Sequence, residues 1–246
     1  MRFLLSSAFL ALMLSTALLR STCILAAGGP TNLVKGRIEM LNSKARLRGG
    51  GVDASGVAVW LSPLKGGLKS EGASPPRGRI EQRDKRFVPH VLVIQVGTEI
   101  DFPNQDPFFH NVFSVYDGKT FDLGLYANGE SRPVRFDRPG ISYLFCNIHP
   151  QMSAVIVAVN TPHFTVSSLD GMYSINNVPA GNYELRLWHE RSDEKQLEEL
   201  RRLVSVDSTV TDLGVIRLDE AAYIPKVHMN KHGDEYPVES PAYRRP

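Results

Sequence analysis

The sequence predicts an all-β protein, and three observations lead there. Helical periodicity is scarce, short alternating or apolar runs recur along the chain, and Gly, Pro, Asn and Asp turn signals fall between them at close intervals. VKGRIEM (34–40) and GVAVWLSPL (56–64) read as the first strands, separated by the glycine turn at 49–51. Residues 66–85 are Gly, Ser, Pro and charge, the composition of a flexible loop. FVPHVLVIQV, TEIDFPN, HNVFSV, TFDLGLY, RPVRFD and ISYLFC then follow, punctuated by VG, QDP, DGK, ANGES and RPG, with SAVIVAVN (153–160) as a further apolar strand. Strands so closely spaced predict a sandwich or Greek-key barrel over residues 86–160.

A second unit is expected over 161–219. In SSLDGMYSINNVPAGNYELRLWHE (167–190) two strands flank a PAG turn, and Tyr183, Leu185 and Leu187 alternate with Glu184 and Arg186. One helix is expected near 192–204, with Ser192 as its cap, acids in its first turn and Arg201 and Arg202 at its end. Leu197, Leu200 and Val204 form its apolar stripe. VSVDSTVTDLGVIRL (204–218) supplies the last strands, and 220–246 reads as an extended tail without a core of its own.

The first 27 residues read as an export signal: Arg2, the apolar run 3–19, and small residues at Ala26 and Ala27 for cleavage. An uncleaved anchor would need a longer apolar run than this one, which Ser and Thr interrupt. A lipoprotein reading of Cys23 meets Arg20 where an apolar residue is expected. Cleavage after about Ala27 predicts a periplasmic or secreted protein with no transmembrane segment left. It also leaves 26 basic against 26 acidic residues, which argues against nucleic acid or an anionic membrane as a partner.

Cleavage leaves Cys146 as a lone thiol in an oxidising compartment, a liability unless something occupies it. It opens the run Cys146-Asn147-Ile148-His149-Pro150-Gln151-Met152. A buried Cys alone is usually a small hydrophobe. Met152 shifts the weighing, because thiolate, thioether and imidazole together favour copper over zinc or the alkaline earths. His110, at the start of an apolar strand, offers the second imidazole. The expected set is His110, Cys146 and His149 in a trigonal plane with Met152 as the weak axial ligand.

FVPHVLVIQVGTEIDFPNQDPFFHNVF followed by FDRPGISYLFCNIHPQM resembles the cupredoxins, the blue copper proteins, and in ligand spacing their amicyanin/plastocyanin branch. The resemblance implies one mononuclear type 1 copper bound by His110, Cys146, His149 and Met152, with Asn111 tying the two ligand loops together. It also implies a one-electron carrier whose exposed His149 edge meets a redox protein such as a cytochrome c or a periplasmic dehydrogenase. With Trp188-His189, the wider arrangement is similar to exported proteins labelled methylamine-utilisation or plastocyanin-like. The ligand loop departs from the Cys-Thr-Pro-His usual in amicyanin-type loops. Ile148 restores a backbone N–H that proline lacks, so one more N–H···S contact and a raised reduction potential are expected. Asn147 offers an amide where the family has a hydroxyl.

LDGMYSINNVPAGNYELRLW is similar to the carboxypeptidase regulatory-like (transthyretin-like) β-sandwich, whose opening strands resemble KGRIEM and SGVAVWLSPL far upstream. Residues 28–65 are therefore the first strands of that sandwich, with the copper domain inserted, or the first cupredoxin strand of a tandem pair. Pairing of 57–62 with 183–188 distinguishes the two. Such sandwiches bind carbohydrate or envelope proteins, or serve only as structure.

His90 reads as a surface or satisfied histidine, and His163 and His189 carry no ligand pattern. His228 and His232 sit in the tail. Phe108 and Phe109 fit either an apolar rim or core packing, and Asp101, Asp106 and Asp122 read as solvated turn and strand acids. With no phosphate loop, Ser-His-Asp order or paired-carboxylate motif, no enzyme is expected. The alternatives to electron transfer are copper storage or delivery, and an envelope-binding module with a degenerate copper site.

Overall fold

Val57, Val59 and Leu61 alternate with Ala58 and Trp60, and each set finds a different apolar seam. That alternation organises the whole molecule. The computed structural model describes residues 31–64, 77–115, 118–207, 209–221 and 229–236. The expected export segment with Cys23, residues 66–76 of the expected loop and His228 lie outside them.

The strands of the first half are β1 (Thr31–Leu41), β2 (Ala58–Pro63), β3 (Arg77–Arg79), β4 (Glu81–Arg83), β5 (Arg86–Val88), β6 (Val91–Gln95), β7 (Glu99–Pro103) and β8 (His110–Ser114). Those of the second half are β9 (Phe121–Tyr126), β10 (Ser131–Arg135), β11 (Gly140–Phe145), β12 (Ser153–Val159), β13 (Phe164–Val166), β14 (Met172–Pro179), β15 (Gly181–Trp188), β16 (Arg202–Val206) and β17 (Val210–Asp219). The helix α1 spans Glu194–Glu199. The protein is all-β, as the sequence predicts.

Four of the five sheets among the described residues stack through three seams, the fifth being the β4-β5 hairpin. The outer sheet β14-β1-β17 faces β13-β2-β15-β16 across a core that includes Val34, Ile38, Leu61, Ile175, Leu185 and Leu218. At the far side, β6-β12-β11-β8-β9 faces β10-β7-β3 across Ile94, Phe102, Tyr126, Phe136, Leu144 and Ile156. The chain crosses between these two sheets from β7 to β8, from β9 to β10 and from β10 to β11, which fits a Greek-key sandwich. The middle seam joins the sandwiches: Val93, Val155, Val157 and Val159 lie against Ala58 and Trp188. So β12 is buried on both faces, which is why SAVIVAV reads as a continuous apolar run.

β2 pairs antiparallel with β15, with Leu61 opposite Leu185, so the contact left open between 57–62 and 183–188 is made. β1 lies between β14, with which it pairs antiparallel, and β17, with which it pairs parallel. Strands from both ends of the chain therefore build one sandwich, and residues 77–159 form the other between them.

Two expected elements differ. Residues 77–88, expected to end a flexible loop and open a long strand, form β3, β4 and β5 instead. The helix stops earlier than its apolar stripe suggested, and Asp193, not Ser192, is the cap, accepting from Gln196 N at 2.8 Å. From Arg202 the chain pairs with β15, and Val204 and Val206 turn inward at period two. An open sheet edge outweighs the helical propensity of the arginines. Among the described residues no helix is long and apolar enough to cross a membrane.

Candidate metal centre

The antiparallel pairing of Phe113 with Phe145 sets the start of β8 beside the end of β11. His110 opens β8, Cys146 follows β11 directly and Met152 precedes β12. The loop between closes on itself: Met152 N donates to His149 O at 3.0 Å, and Cys146 N to Met152 O at 3.3 Å. Three strands of a rigid sheet thus fix the two segments.

His110, Cys146 and His149 form a cluster of donor atoms. His110 Nδ1 and His149 Nδ1 are 3.1 Å apart. Cys146 Sγ lies 3.9 Å from the first and 3.6 Å from the second. Donors bonded to one first-row ion at about 2.0–2.3 Å, and spread around it near a plane, form a triangle of this size. Cys146 and His110 are fully buried, as is Met152, which shares the apolar core with the cysteine. The donor set therefore fits a soft transition-metal ion.

The groups around the triangle fix its members. Asn111, buried, accepts from Asn147 N at 3.3 Å and donates to Asp122 Oδ1 at 2.7 Å and Gly124 O at 3.0 Å. The link between the ligand loops is thus made by the Asn147 backbone. Its side-chain oxygen instead accepts from Lys231 N at 3.0 Å. Lys231 Nζ reaches Asp122 Oδ2 at 2.7 Å, and Tyr236 OH donates to Cys146 O at 2.9 Å. Residues 229–236, expected as part of a tail without a core, dock against the cysteine loop.

Asp106 Oδ2 lies 2.7 Å from His110 Nε2, and its carboxylate also accepts from Asp84 N at 2.7 Å and Lys85 N at 2.9 Å. The Phe108 ring meets both imidazoles, at 5.2 Å from His110 and 5.7 Å from His149, with Lys85 Nζ above it at 5.6 Å. Phe109 and Ile148 are exposed beside it, so the phenylalanines form a rim.

Burial pushes the Cys146 thiol up, against the pull of the N–H groups of Ile148, Asn111 and His149. Burial, then the neighbouring His110 and Lys85, push His149 down to about 4. Burial would raise the Asp106 carboxyl, but the bonds from Lys85 N, His110 and Asp84 N outweigh it and hold it low. A neutral His149 is ready to bind an ion; the thiol must still lose its proton.

Asp106 and Asp122, expected as solvated acids, support the two ligand loops instead. The run QDPFFH could have pointed to Asp106, which sits four residues before a candidate ligand; Lys231 and Tyr236 gave no local signal. Asp101 lies half-buried on β7, 3.8 Å from Arg77. His90 contacts Ser153 O at 3.0 Å and Glu190 at 2.8 Å, a satisfied histidine away from the donors. His163 and His189 are buried in the other sandwich, and His232 is exposed on the docked segment.

No protein-family model matches the chain, and no curated protein does. Among the solved structures that match, three are similar at low identity and partial coverage. A Cu-containing nitrite reductase from Thermus scotoductus SA-01 is 28% identical, with TM-score 0.33, over 40% of this chain and 25% of that one. The chain thus spans about a quarter of that reductase's length. A purple cupredoxin from Nitrosopumilus maritimus is 22% identical over 33% of this chain and 99% of that one, with TM-score 0.31. The reduced state of an amicyanin mutant is 20% identical over 36% and 87%, with TM-score 0.32.

Proposed function

We propose that the protein is an exported type 1 copper protein that carries single electrons between periplasmic redox partners. The observation that supports this best is the near-trigonal triangle of His110 Nδ1, His149 Nδ1 and Cys146 Sγ, with sides of 3.1, 3.6 and 3.9 Å. In this reading Met152, buried in the same core as Cys146, would be the fourth, weaker ligand. Bound copper would supply a one-electron couple whose two states this fixed donor set serves alike. Cys146 would supply the thiolate and His110 and His149 the imidazoles, while Asn111 and Tyr236 hold the cysteine loop in place. In this reading the protein is a carrier and not an enzyme. The exposed surface of Phe109 and Ile148 beside His149 is where a partner such as a cytochrome c or a dehydrogenase docks.

The second sandwich is, in this reading, a carboxypeptidase regulatory-like module that meets carbohydrate or an envelope protein. Its Val178-Pro179-Ala180-Gly181-Asn182-Tyr183 turn supports that, with Tyr183 OH donating to Pro179 O at 2.8 Å.

The test is addition of Cu(II) to the full chain with its thiol reduced. One equivalent should give intense visible absorption from thiolate-to-copper charge transfer, and Cys146→Ser should abolish it while the protein stays folded. A colourless complex, or colour that survives the substitution, rejects the type 1 site. Fast, reversible electron exchange with a small c-type cytochrome separates carriage from storage.

A further inference from the structure

We propose that Asp106 is the positioning residue of the centre. It holds the His110 imidazole in the tautomer whose Nδ1 lone pair faces Cys146 and His149, and its buried charge favours the more oxidised ion. The second half rests on the copper reading above; the first does not.

Asp106 is buried, and its carboxylate oxygen lies 2.7 Å from His110 Nε2. An ionised carboxylate only accepts, so the imidazole proton must sit on Nε2 and leave Nδ1 with a free pair. His110 is itself fully buried with Phe108 edge-on to it, so turning the ring would break a charge-assisted bond in a dry setting.

Asp106 is in turn held on every side. Asp84 and Lys85, both with φ of 54°, form the two-residue turn between β4 and β5. Their successive N–H groups converge on the two carboxylate oxygens, at 2.7 and 2.9 Å. Asp106 N donates to Asn104 Oδ1 at 2.9 Å, and Asn128 Nδ2 donates to Asp106 O at 3.0 Å. The β4–β5 hairpin therefore fixes Asp106, Asp106 fixes His110, and His110 presents its lone pair before any ion arrives. A carboxylate one imidazole away from the ion stabilises the higher charge, since burial weakens the screening. Lys85 Nζ, above Phe108, offsets part of that effect.

A simpler role, anchoring the hairpin alone, predicts lost stability and an unchanged His110. Two variants separate the readings. Asp106→Asn keeps one oxygen for His110 but removes the charge and sets an amide N–H against Asp84 N–H; Asp106→Ala removes every side-chain bond. In the metal-free full chain, imidazole nitrogen NMR should show His110 in a single Nε2–H form that becomes mixed in Asp106→Ala. In the copper-loaded chain, Asp106→Asn should lower the Cu(II)-to-Cu(I) affinity ratio at least tenfold, raising the one-electron potential by about 59 mV. Parent protein with its His110 proton on Nδ1, or a folded Asp106→Asn with an unmoved potential, overturns the proposal. If Asp106→Ala does not fold, the parent tautomer and the Asp106→Asn potential decide it. A chain that takes no copper defeats the copper reading, while the metal-free tautomer still tests the positioning.

Discussion

At Cys146 Sγ, burial favours the neutral thiol while three backbone N–H groups favour the thiolate. One of them belongs to Ile148, which precedes His149 and, unlike a proline, carries an N–H. An N–H pointed at the sulfur withdraws charge that would otherwise flow to an oxidised ion, so it favours the reduced state. Ile148→Pro removes that donor without touching a candidate ligand. Its copper-loaded form should have a lower reduction potential than the parent by voltammetry, and an equal or higher value counts against the assignment. At this scale the residues that bring their donor atoms together, His110, Cys146 and His149, were legible, because Cys-x2-His-x2-Met packs three donor types into one loop and His110 opens a strand. Asp106 was not, since an acid in a turn is usually solvated and its burial depends on the Asp84-Lys85 turn. Lys231 and Tyr236 were hidden for a related reason: their partners, Asp122 and Cys146, are far away in sequence.

At the scale of elements, the turn Ser168-Leu169-Asp170-Gly171 before β14 shows a motif acting through geometry. Gly171 has φ of 82°, donates to Ser168 O at 2.8 Å and accepts from Ile38 N at 2.8 Å. A Cβ there would collide with Ile38 O, which is backbone and cannot swing aside. Gly171→Ala therefore meets both a left-handed φ and a closed contact, and should cost about 2 kcal/mol or more. Urea denaturation checks this; a midpoint within error of the parent would mean the turn relaxes freely. The period-two strands were legible along the whole chain because each buries one face. The segment 192–206 was only half legible: its first turn is helical with an aspartate cap, but its second half answers to the free edge of β15, which local sequence does not carry. Strands β3 to β5 were hidden by their charge, because each is three residues long and offers little apolar pattern.

At the scale of the molecule, the two sandwiches share a seam, and the chain passes from one to the other after β2 and back between β12 and β13. Which distant strand β2 would join could not be read locally, since either arrangement satisfies its alternation. Next to the seam residue Trp188 stands His189, 3% exposed. Burial first, then the Arg191 cation, push its pKa down to about 4, against the pull of Glu220, Glu190 and Asp53. In the unfolded chain a histidine takes its proton near pH 6.5. Between that value and about 4 the unfolded state holds a proton that the folded state refuses, so stability is full above pH 6.5 and falls as the pH drops. The loss reaches about 3 kcal/mol once both forms are protonated. His163, also lowered by burial, acts in the same direction, whereas His90, raised chiefly by its bond to Glu190, acts against it. Thermal melts of the copper-loaded protein, in which His149 is tied up, should show Tm falling from pH 7 to pH 5. His189→Gln, which cannot titrate, should flatten that slope. An unchanged slope in the variant would place the sensitivity elsewhere. A flattened one would show that a histidine outside the donor set governs how the paired sandwiches tolerate acid.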